Sequence, residues 1–169
     1  MLQTPGHFKQ ALLSCFSFTP TPDQLELMDK LSDFISNDTG RDVLIIRGYA
    51  GTGKTKMIAD LSRVLPSFKK RSVLLAPTGR AAKVLSNYAE RPAQTIHRKI
   101  YKKESSQEGG IIFSLSPNLH KNTIFIVDEA SMIGESSGGE NSYNNLLNDL
   151  IEYVFSGDDC KLILSGDTA

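Results

Sequence analysis

The sequence predicts an α/β protein in which helices cover both faces of a parallel sheet. Four short apolar runs, at residues 43–46, 72–76, 123–127 and 161–164, have the length of buried strands. Helical apolar spacing separates most of these runs, and a glycine-rich segment directly follows the first one. Strands that are buried on both faces form continuous apolar runs. In such a sheet the binding groups gather at the carboxyl ends of the strands.

The N-terminal part predicts two helices that precede the first strand. The first is short and lies within residues 6–16. The second has Thr21 as a good N-cap, Pro22 at the first helical position and Gln24 at the capping-box spacing, and it ends near residues 37–40. Gln24 therefore has two interpretations, a helix cap or a side-chain amide that faces a ligand.

The glycine-rich segment Gly48–Thr55 fits G-x-x-x-x-G-K-[ST], the phosphate-binding P-loop. Its glycines allow backbone N–H groups to approach phosphate oxygens, and the helix that follows directs its positive dipole end at the same anion. Lys54 is expected to reach the β- and γ-phosphates, and the Thr55 hydroxyl to bind Mg²⁺. The candidate nucleotide contacts in this segment are Gly48, Ala50, Gly51, Thr52, Gly53, Lys54, Thr55 and Lys56.

The turn after the second strand is a second place where backbone N–H groups can hold phosphate. Pro77–Gly79 leads there into a helix that begins near Arg80. Residues 91–97 are predicted to be a loop that enters a short helical stretch. His97, at the end of that loop, is by itself more typical of a packed or surface histidine than of a functional one.

Two segments have the composition of loops or insertions. Residues 104–122 are polar and contain one strand-like run, Ile111–Leu115, which predicts a small hairpin or a flexible insertion. Residues 134–145 are rich in glycine, serine and asparagine and are predicted to be a loop.

The third strand ends in Asp128-Glu129, a carboxylate pair that complements the P-loop. Asp128 is suited to hold Mg²⁺, and Glu129 to take a proton from an attacking water. The adjacent glutamate favours an ATPase over a small-molecule kinase, which needs no base for water. The alternative is an accidental exposed pair. Asp167 follows the fourth strand and joins the candidate nucleotide contacts.

Net charge is zero, but the charges are segregated along the chain. Residues 69–103 carry ten basic residues and one acidic residue. This segment is either a positive surface for nucleic-acid phosphates or a set of solvated helix faces. No apolar run approaches the roughly 20 residues that span a bilayer. The N-terminus lacks the pattern of a secretory signal, and the two cysteines lack ligand spacing, so we expect a cytoplasmic protein without membrane partners.

Taken together, the motifs resemble a known family, the superfamily 1 helicases of the RecD-like branch. The matching segments are FTPTPDQ, GYAGTGKT, LAPTGRAAKVL, QTIHRKI, IFIVDEASMI and LILSGD, in that order. The resemblance implies a RecA-like P-loop NTPase with α/β/α layers and core strand order 1-4-3-2. It implies ATP and Mg²⁺ as cofactors, single-stranded DNA as partner, and an adenine contact from Gln24. The residues that it places in the single-strand groove are Thr78, Gly79, Arg80, Thr95 and His97.

The resemblance also predicts the domain organisation. It implies one motor domain over residues 1–169, with residues 1–22 as an N-terminal extension, residues 104–122 as a small insertion and Gly109–Leu115 as a short strand-separating pin. The second motor domain and its arginine are expected to be absent, so the chain alone should bind ATP weakly and hydrolyse it slowly. An arginine finger contributes about 10³–10⁵ in rate. The alternatives are a stand-alone nucleotide switch and an RNA-directed motor.

Overall fold

The computed structural model of the chain describes residues 5–37, 40–105, 110–134 and 146–168. Within these ranges the helices are α1 (Pro5–Ser14), α2 (Pro22–Ser36), α3 (Lys54–Val64), α4 (Gly79–Ala89), α5 (Ile96–Ile100) and α6 (Leu146–Phe155). The strands are β1 (Val43–Gly48), β2 (Arg71–Ala76), β3 (Ala93–Thr95), β4 (Tyr101–Ser105), β5 (Ile111–Leu115), β6 (Lys121–Val127) and β7 (Asp158–Asp167). Two single 3₁₀ turns, Leu65–Phe68 and Ala130–Gly134, follow α3 and β6.

The main sheet has the strand order β1-β7-β6-β2-β3, and every pair in it is parallel. The four strands predicted from apolar runs therefore stand in the order 1-4-3-2, as expected. The α/β class and the RecA-like architecture are confirmed. β3 adds a fifth strand where the sequence predicted a loop. This strand could not be predicted, because three half-buried residues are too few to show an alternating apolar pattern.

Helices cover the two faces of the sheet in separate layers. On one face, α1 to α4 pack against inward residues that include Ile46, Leu74, Ile126 and Ile163. On the other face, α5, α6 and the 3₁₀ turn after β6 pack against the alternate residues, which include Leu75, Phe125, Val127, Leu162 and Leu164. Both faces of the central strands are thus buried, which explains their continuous apolar sequence.

Strand β1 lies at one edge of the sheet and pairs with β7. Its residue Ile46 faces the α1–α4 layer and is buried, whereas its neighbour Ile45 faces the other side and is 55% exposed. An apolar edge strand with one free side is a recognised association hazard.

Helix α2 is fixed at both ends. The predicted capping box is present, since the Thr21 side chain accepts from the Gln24 backbone N–H and the Gln24 side chain accepts from the Thr21 backbone N–H. At the other end the buried Lys161 of β7 donates to the carbonyl oxygens of Phe34, at 2.6 Å, and Asn37. A lysine inside an apolar run of β7 therefore holds the carbonyl end of α2 against the sheet.

The remaining differences from the sequence prediction concern short elements. β4 and β5 form an antiparallel hairpin that pairs Tyr101–Ser105 with Ile111–Leu115, so the hairpin begins before the predicted boundary at residue 104. The basic sequence of β4 has no apolar alternation that would have predicted a strand. Residues 135–145 of the predicted loop, and Gly109 of the predicted pin, lie outside the described residues. Across the part of the chain that the structure describes, no helix has the length and apolarity needed to span a membrane.

Candidate nucleotide and nucleic-acid site

The predicted nucleotide residues converge at the carboxyl ends of three adjacent strands. Gly48 ends β1 and stands opposite Asp167, the last residue of β7, in the strand register. Asp128 follows β6, the next strand in the sheet. The strand order therefore places the P-loop beside the carboxylate pair, although the two segments are separated by more than 70 residues in sequence.

The P-loop turns through two glycines in the left-handed region. Gly51 and Gly53 have φ of 78° and 87°, a conformation that favours glycine over any residue with a Cβ. Gly53 is the N-cap of α3, and the first α-helical hydrogen bond runs from Met57 N–H to the Gly53 carbonyl. The N–H groups of the first turn of α3 are therefore available to an anion.

Lys54 is directed back along the loop. Its Nζ lies 2.8 Å from the Gly48 carbonyl oxygen, 2.7 Å from the Tyr49 carbonyl oxygen and 2.6 Å from Asp167 Oδ1. The lysine side chain is 11% exposed. The predicted phosphate-binding lysine and Asp167 are thus in direct contact.

Thr55 and Asp128 make the contact that joins the two halves of the site. Thr55 Oγ1 donates to Asp128 Oδ2 at 2.6 Å, and Asp128 is buried. The other carboxylate oxygen accepts from Ser165 Oγ at 3.2 Å. Sequence reasoning missed Ser165, although a serine at the end of a buried apolar strand was a usable signal for a polar partner in the site.

Glu129 is held in an unusual backbone conformation beside Asp128. Its φ is 55°, which costs a residue with a side chain about 1–2 kcal/mol. Burial raises the pKa of the Glu129 carboxyl above its usual value, and the negative charges of Asp128 and Asp167 raise that pKa further. Lys54 acts in the opposite direction. A raised pKa suits a carboxylate that accepts a proton near neutral pH.

Gln24 contacts the P-loop as well as capping α2. Its Nε2 donates to the Thr52 carbonyl oxygen at 3.3 Å. Gln24 also lines an open cleft of about 830 Å³ between the start of α2, β1 and the P-loop. The capping interpretation is therefore correct, and the same amide lies where a nucleotide bound to the P-loop can reach it.

Lys56 uses its side chain elsewhere. Its ammonium group lies 2.6 Å from the buried carboxylate of Asp60 and 5.8 Å from the centre of the Phe16 ring. Its backbone N–H, in the first turn of α3, is what remains available for the predicted phosphate contact.

The predicted nucleic-acid residues also come together, beyond the nucleotide site along the sheet. Ala76 at the end of β2 stands opposite Thr95 at the end of β3, so the starts of α4 and α5 are neighbours. Thr78 and Thr95 are the N-caps of these helices and accept from the N–H groups of Ala81 and Arg98 at 3.2 Å.

The two capping threonines are half-exposed. Each threonine hydroxyl that accepts from a helix N–H retains its own proton to donate. Gly79, Arg80 and His97 are exposed at the same place.

The basic segment at residues 69–103 does not form one surface. Lys69, Lys70 and Arg71 lie at the amino end of β2, opposite the end that carries the site, and Lys70 pairs with Asp159 there at 3.5 Å. Arg91 is half-buried and donates to Ser62 and Ser72. Among the remaining basic residues, Arg80 and Arg98 lie in the first turns of α4 and α5, whereas Lys83 and Lys99 lie farther along these helices and Lys102 and Lys103 belong to β4.

The fold and the site define the class of this protein: it is a P-loop NTPase of RecA-like architecture. A family profile described as an AAA domain matches residues 21–169. The chain belongs to that family, and its assignment to the superfamily 1, RecD-like helicase motor domains is confirmed.

Three characterised proteins are similar to the chain. The ATP-dependent RecD2 DNA helicase of Deinococcus radiodurans is 31% identical over 149 residues, which is 86% of this chain and 17% of the relative. The ATP-dependent DNA helicase dda of phage T4 is 36% identical over 90 residues, 52% of this chain and 20% of the relative. The multifunctional conjugation protein TraI of Escherichia coli is 31% identical over 121 residues, 66% of this chain and 6% of the relative. The chain therefore spans less than a quarter of each relative.

Proposed function

We propose that this chain is the ATP-binding motor domain of an ATP-dependent helicase that moves along single-stranded DNA. The observation that carries the proposal is the 2.6 Å contact between the Thr55 hydroxyl and the Asp128 carboxylate. This contact between the P-loop and the acidic end of β6 supports one shared site for ATP hydrolysis. The similarity to two DNA helicases supports DNA as the nucleic acid along which the motor moves.

The residues fit ATP and Mg²⁺ as cofactors. The first turn of α3 and Lys54 supply donors for phosphate oxygens, and Thr55 with Asp128 supplies the hard oxygen ligands that Mg²⁺ prefers. Mg²⁺ commonly takes one or two carboxylates and completes its shell with substrate phosphates and waters, which suits this small ligand set. When bound, Mg²⁺ neutralises negative charge on the phosphate oxygens.

Within this proposal three residues have separate roles in binding and hydrolysis of ATP. Glu129 accepts the proton of the attacking water, and its raised pKa keeps it a competent base. Lys54 stabilises the charge that develops on the phosphates. Gln24, which lines the cleft beside the P-loop, recognises the adenine base.

The nucleic-acid strand is proposed to run over the starts of α4 and α5. Thr78, Gly79, Arg80, Thr95 and His97 supply hydroxyl, amide and cationic donors for its phosphates, in agreement with the adjacent ends of β2 and β3. Such contacts are independent of sequence and sensitive to salt.

The β4–β5 hairpin is proposed as the pin that divides the two strands. Its second strand exposes three large apolar residues, with Ile111 71%, Ile112 41% and Phe113 53% exposed. Lys103 Nζ lies 6.0 Å from the centre of the Phe113 ring. An exposed aromatic ring next to a cation is suited to stack on an unpaired base.

The proposed domain organisation is one motor domain that works with a second one in a longer cytoplasmic protein. The much greater length of the three relatives supports this arrangement. The segment at residues 1–22 is proposed as an extension that stabilises the domain, since Phe8 and Leu12 of α1 are fully buried in its core. Residues 104–122 are proposed as an insertion that carries most of the hairpin.

Steady-state ATP hydrolysis with and without single-stranded DNA tests the proposal. We expect DNA-stimulated turnover in the longer protein and slow turnover by the 169-residue chain, because an arginine from a second domain completes such sites. Glu129→Gln in the longer protein should retain nucleotide binding and stop turnover. Rapid DNA-stimulated turnover by the 169 residues alone would refute the two-domain arrangement, and full activity of Glu129→Gln would refute the base.

Two other functions make different predictions. A stand-alone nucleotide switch would bind ATP but show neither DNA-stimulated hydrolysis nor unwinding in the longer protein. An RNA-directed motor would bind single-stranded RNA at least as tightly as DNA, since 2′-hydroxyl contacts then contribute. Parallel binding titrations with RNA and DNA of one sequence separate the RNA-directed motor from the proposed function, and the hydrolysis and unwinding assays separate the switch.

A further inference from the structure

The ammonium group of Lys54 is fully engaged by acceptors of the chain itself. An ammonium has three N–H donors, and Lys54 has three acceptors within 2.8 Å, namely the carbonyls of Gly48 and Tyr49 and the carboxylate of Asp167. A phosphate oxygen that binds Lys54 must therefore replace at least one of these acceptors.

Asp167 is the acceptor best suited to be replaced. The two carbonyls are neutral parts of the P-loop backbone, whereas the Asp167 carboxylate is 42% exposed and can turn toward solvent. A carboxylate and a phosphate also compete for the same cation and repel each other. Phosphate binding at Lys54 is then an exchange of one anion for another.

The end of β7 shares its contacts with the same loop. Thr168 N–H donates to the Gly48 carbonyl oxygen at 3.3 Å, and that oxygen also accepts from Lys54. A movement of the Asp167 carboxylate therefore changes the contacts of the P-loop at Gly48 and Lys54.

We propose that Asp167 is a positioning residue that holds Lys54 folded back on the P-loop and that the phosphates of the nucleotide displace it. Asp167 thereby lowers nucleotide affinity and couples occupancy of the site to the end of β7. This inference rests on the proposed function, because it takes a nucleoside triphosphate as the displacing anion.

Nucleotide binding by the Asp167→Asn variant tests the inference. Titration calorimetry with ATPγS and Mg²⁺ should give a dissociation constant about two- to tenfold lower than that of the wild-type chain, since one partly exposed ion pair and its repulsion are removed. Asp158→Asn is the matched control. It makes the same charge change at the other end of β7, where Asp158 pairs with Lys121 at 3.2 Å, and its affinity should equal that of the wild type.

An Asp167→Asn affinity equal to or weaker than that of the wild type would overturn the inference. A wild-type chain that binds no nucleotide would instead contradict the proposed function. In that case the coupling between Lys54 and Asp167 can be measured without nucleotide, from the thermal unfolding midpoints of Lys54→Met, Asp167→Asn and the double variant. We expect the double variant to lose less than the two single losses combined, and strictly additive losses would overturn the inference.

Discussion

Lys54 lies at the centre of a site whose polar side chains form hydrogen bonds and an ion pair with other groups of the protein. Its ammonium group bridges the P-loop backbone and Asp167, while the Thr55 hydroxyl donates to Asp128 and Ser165 supports the same carboxylate. Each of these groups also has the chemistry that a magnesium nucleotide needs. The site is therefore pre-organised, and nucleotide binding is an exchange of partners within it.

Replacement of Lys54 by alanine tests the phosphate contact at the residue scale. We expect a loss of ATPγS affinity of about 10- to 100-fold, because a charge-assisted hydrogen bond contributes about 1.5–3 kcal/mol. Titration calorimetry measures the loss. Lys121→Ala, which removes a lysine that is 76% exposed at the opposite end of the sheet, should leave the affinity unchanged.

Glu129 predicts a pH-dependent effect on stability. Its pKa is raised above the usual 4.5 by burial and then by Asp128 and Asp167, so the folded state favours the neutral carboxyl and ionisation at pH 7 costs stability. Glu129→Gln, which is neutral at every pH, should have a higher Tm than the wild type at pH 7. The difference should vanish as pH falls below the usual glutamate pKa. Thermal scans from pH 4 to 8 check this, with the exposed Glu152→Gln of α6 as control.

A higher Tm for Glu129→Gln that persists unchanged at pH 4 would contradict this prediction. It would show that the stabilisation comes from packing or from the strained backbone at φ 55° and not from the charge.

At the scale of elements, a partly buried hydrogen bond connects the hairpin to α6. Tyr101, the first residue of β4, donates to Asp149 at 2.5 Å, and Asp149 is 5% exposed. Burial raises the pKa of Tyr101 most strongly, and Asp149 raises it further. The His97 ring lies 5.7 Å from the Tyr101 ring, so this tyrosine also supports a proposed nucleic-acid contact.

Tyr101→Phe removes the hydroxyl and keeps the ring. The buried Asp149 then loses a donor, which should lower the free energy of unfolding by about 1–3 kcal/mol and Tm by roughly 3–10 °C. Amide hydrogen exchange of residues 101–105 and 111–115 should also become faster. Faster exchange there would indicate that the Tyr101–Asp149 contact holds the hairpin in place. Tyr88→Phe, at a side chain that is 52% exposed, should change neither value. Unchanged exchange in the hairpin would mean that other contacts orient it.

The two ends of the sheet make a prediction about the basic residues. Arg80 lies in the first turn of α4 at the carboxyl end of the sheet, and Arg71 begins β2 at the amino end. If single-stranded DNA crosses the starts of α4 and α5, Arg80→Ala should weaken binding and make the slope of log K against log salt shallower by about 0.7. Arg71→Ala should change neither the affinity nor the slope. Equal effects of the two substitutions, measured by fluorescence anisotropy, would contradict the placement.

At the scale of the whole molecule, the sequence was sufficient where one strong local rule decided the structure. The P-loop, the capping box at Thr21 and Gln24, and the four apolar strands each follow such a rule, and all are present. The first of these strands, β1, lies at the sheet edge, so its predicted burial is correct at Ile46 and wrong at Ile45. The strand order came from the family resemblance, because apolar runs carry no information about which strands are neighbours.

What the sequence could not predict depends on contacts between distant segments. β3 is a strand because it pairs with β2, and Ser165 belongs to the site because β7 lies beside β6. Lys161 and Asp149 are buried charged side chains whose partners, Phe34 and Tyr101, lie far away in sequence. The division of the basic segment between opposite ends of the sheet likewise follows from the direction of β2, which composition does not reveal.

The proposed function depends on a single site in which the P-loop and the acidic end of β6 hold one magnesium nucleotide. The most direct test is the Mg²⁺ dependence of ATPγS affinity for the wild-type chain and for Asp128→Asn, measured by titration calorimetry. We predict that chelation of Mg²⁺ weakens binding to the wild type and has little effect on the variant. Equal Mg²⁺ dependence in the two proteins would contradict the shared site.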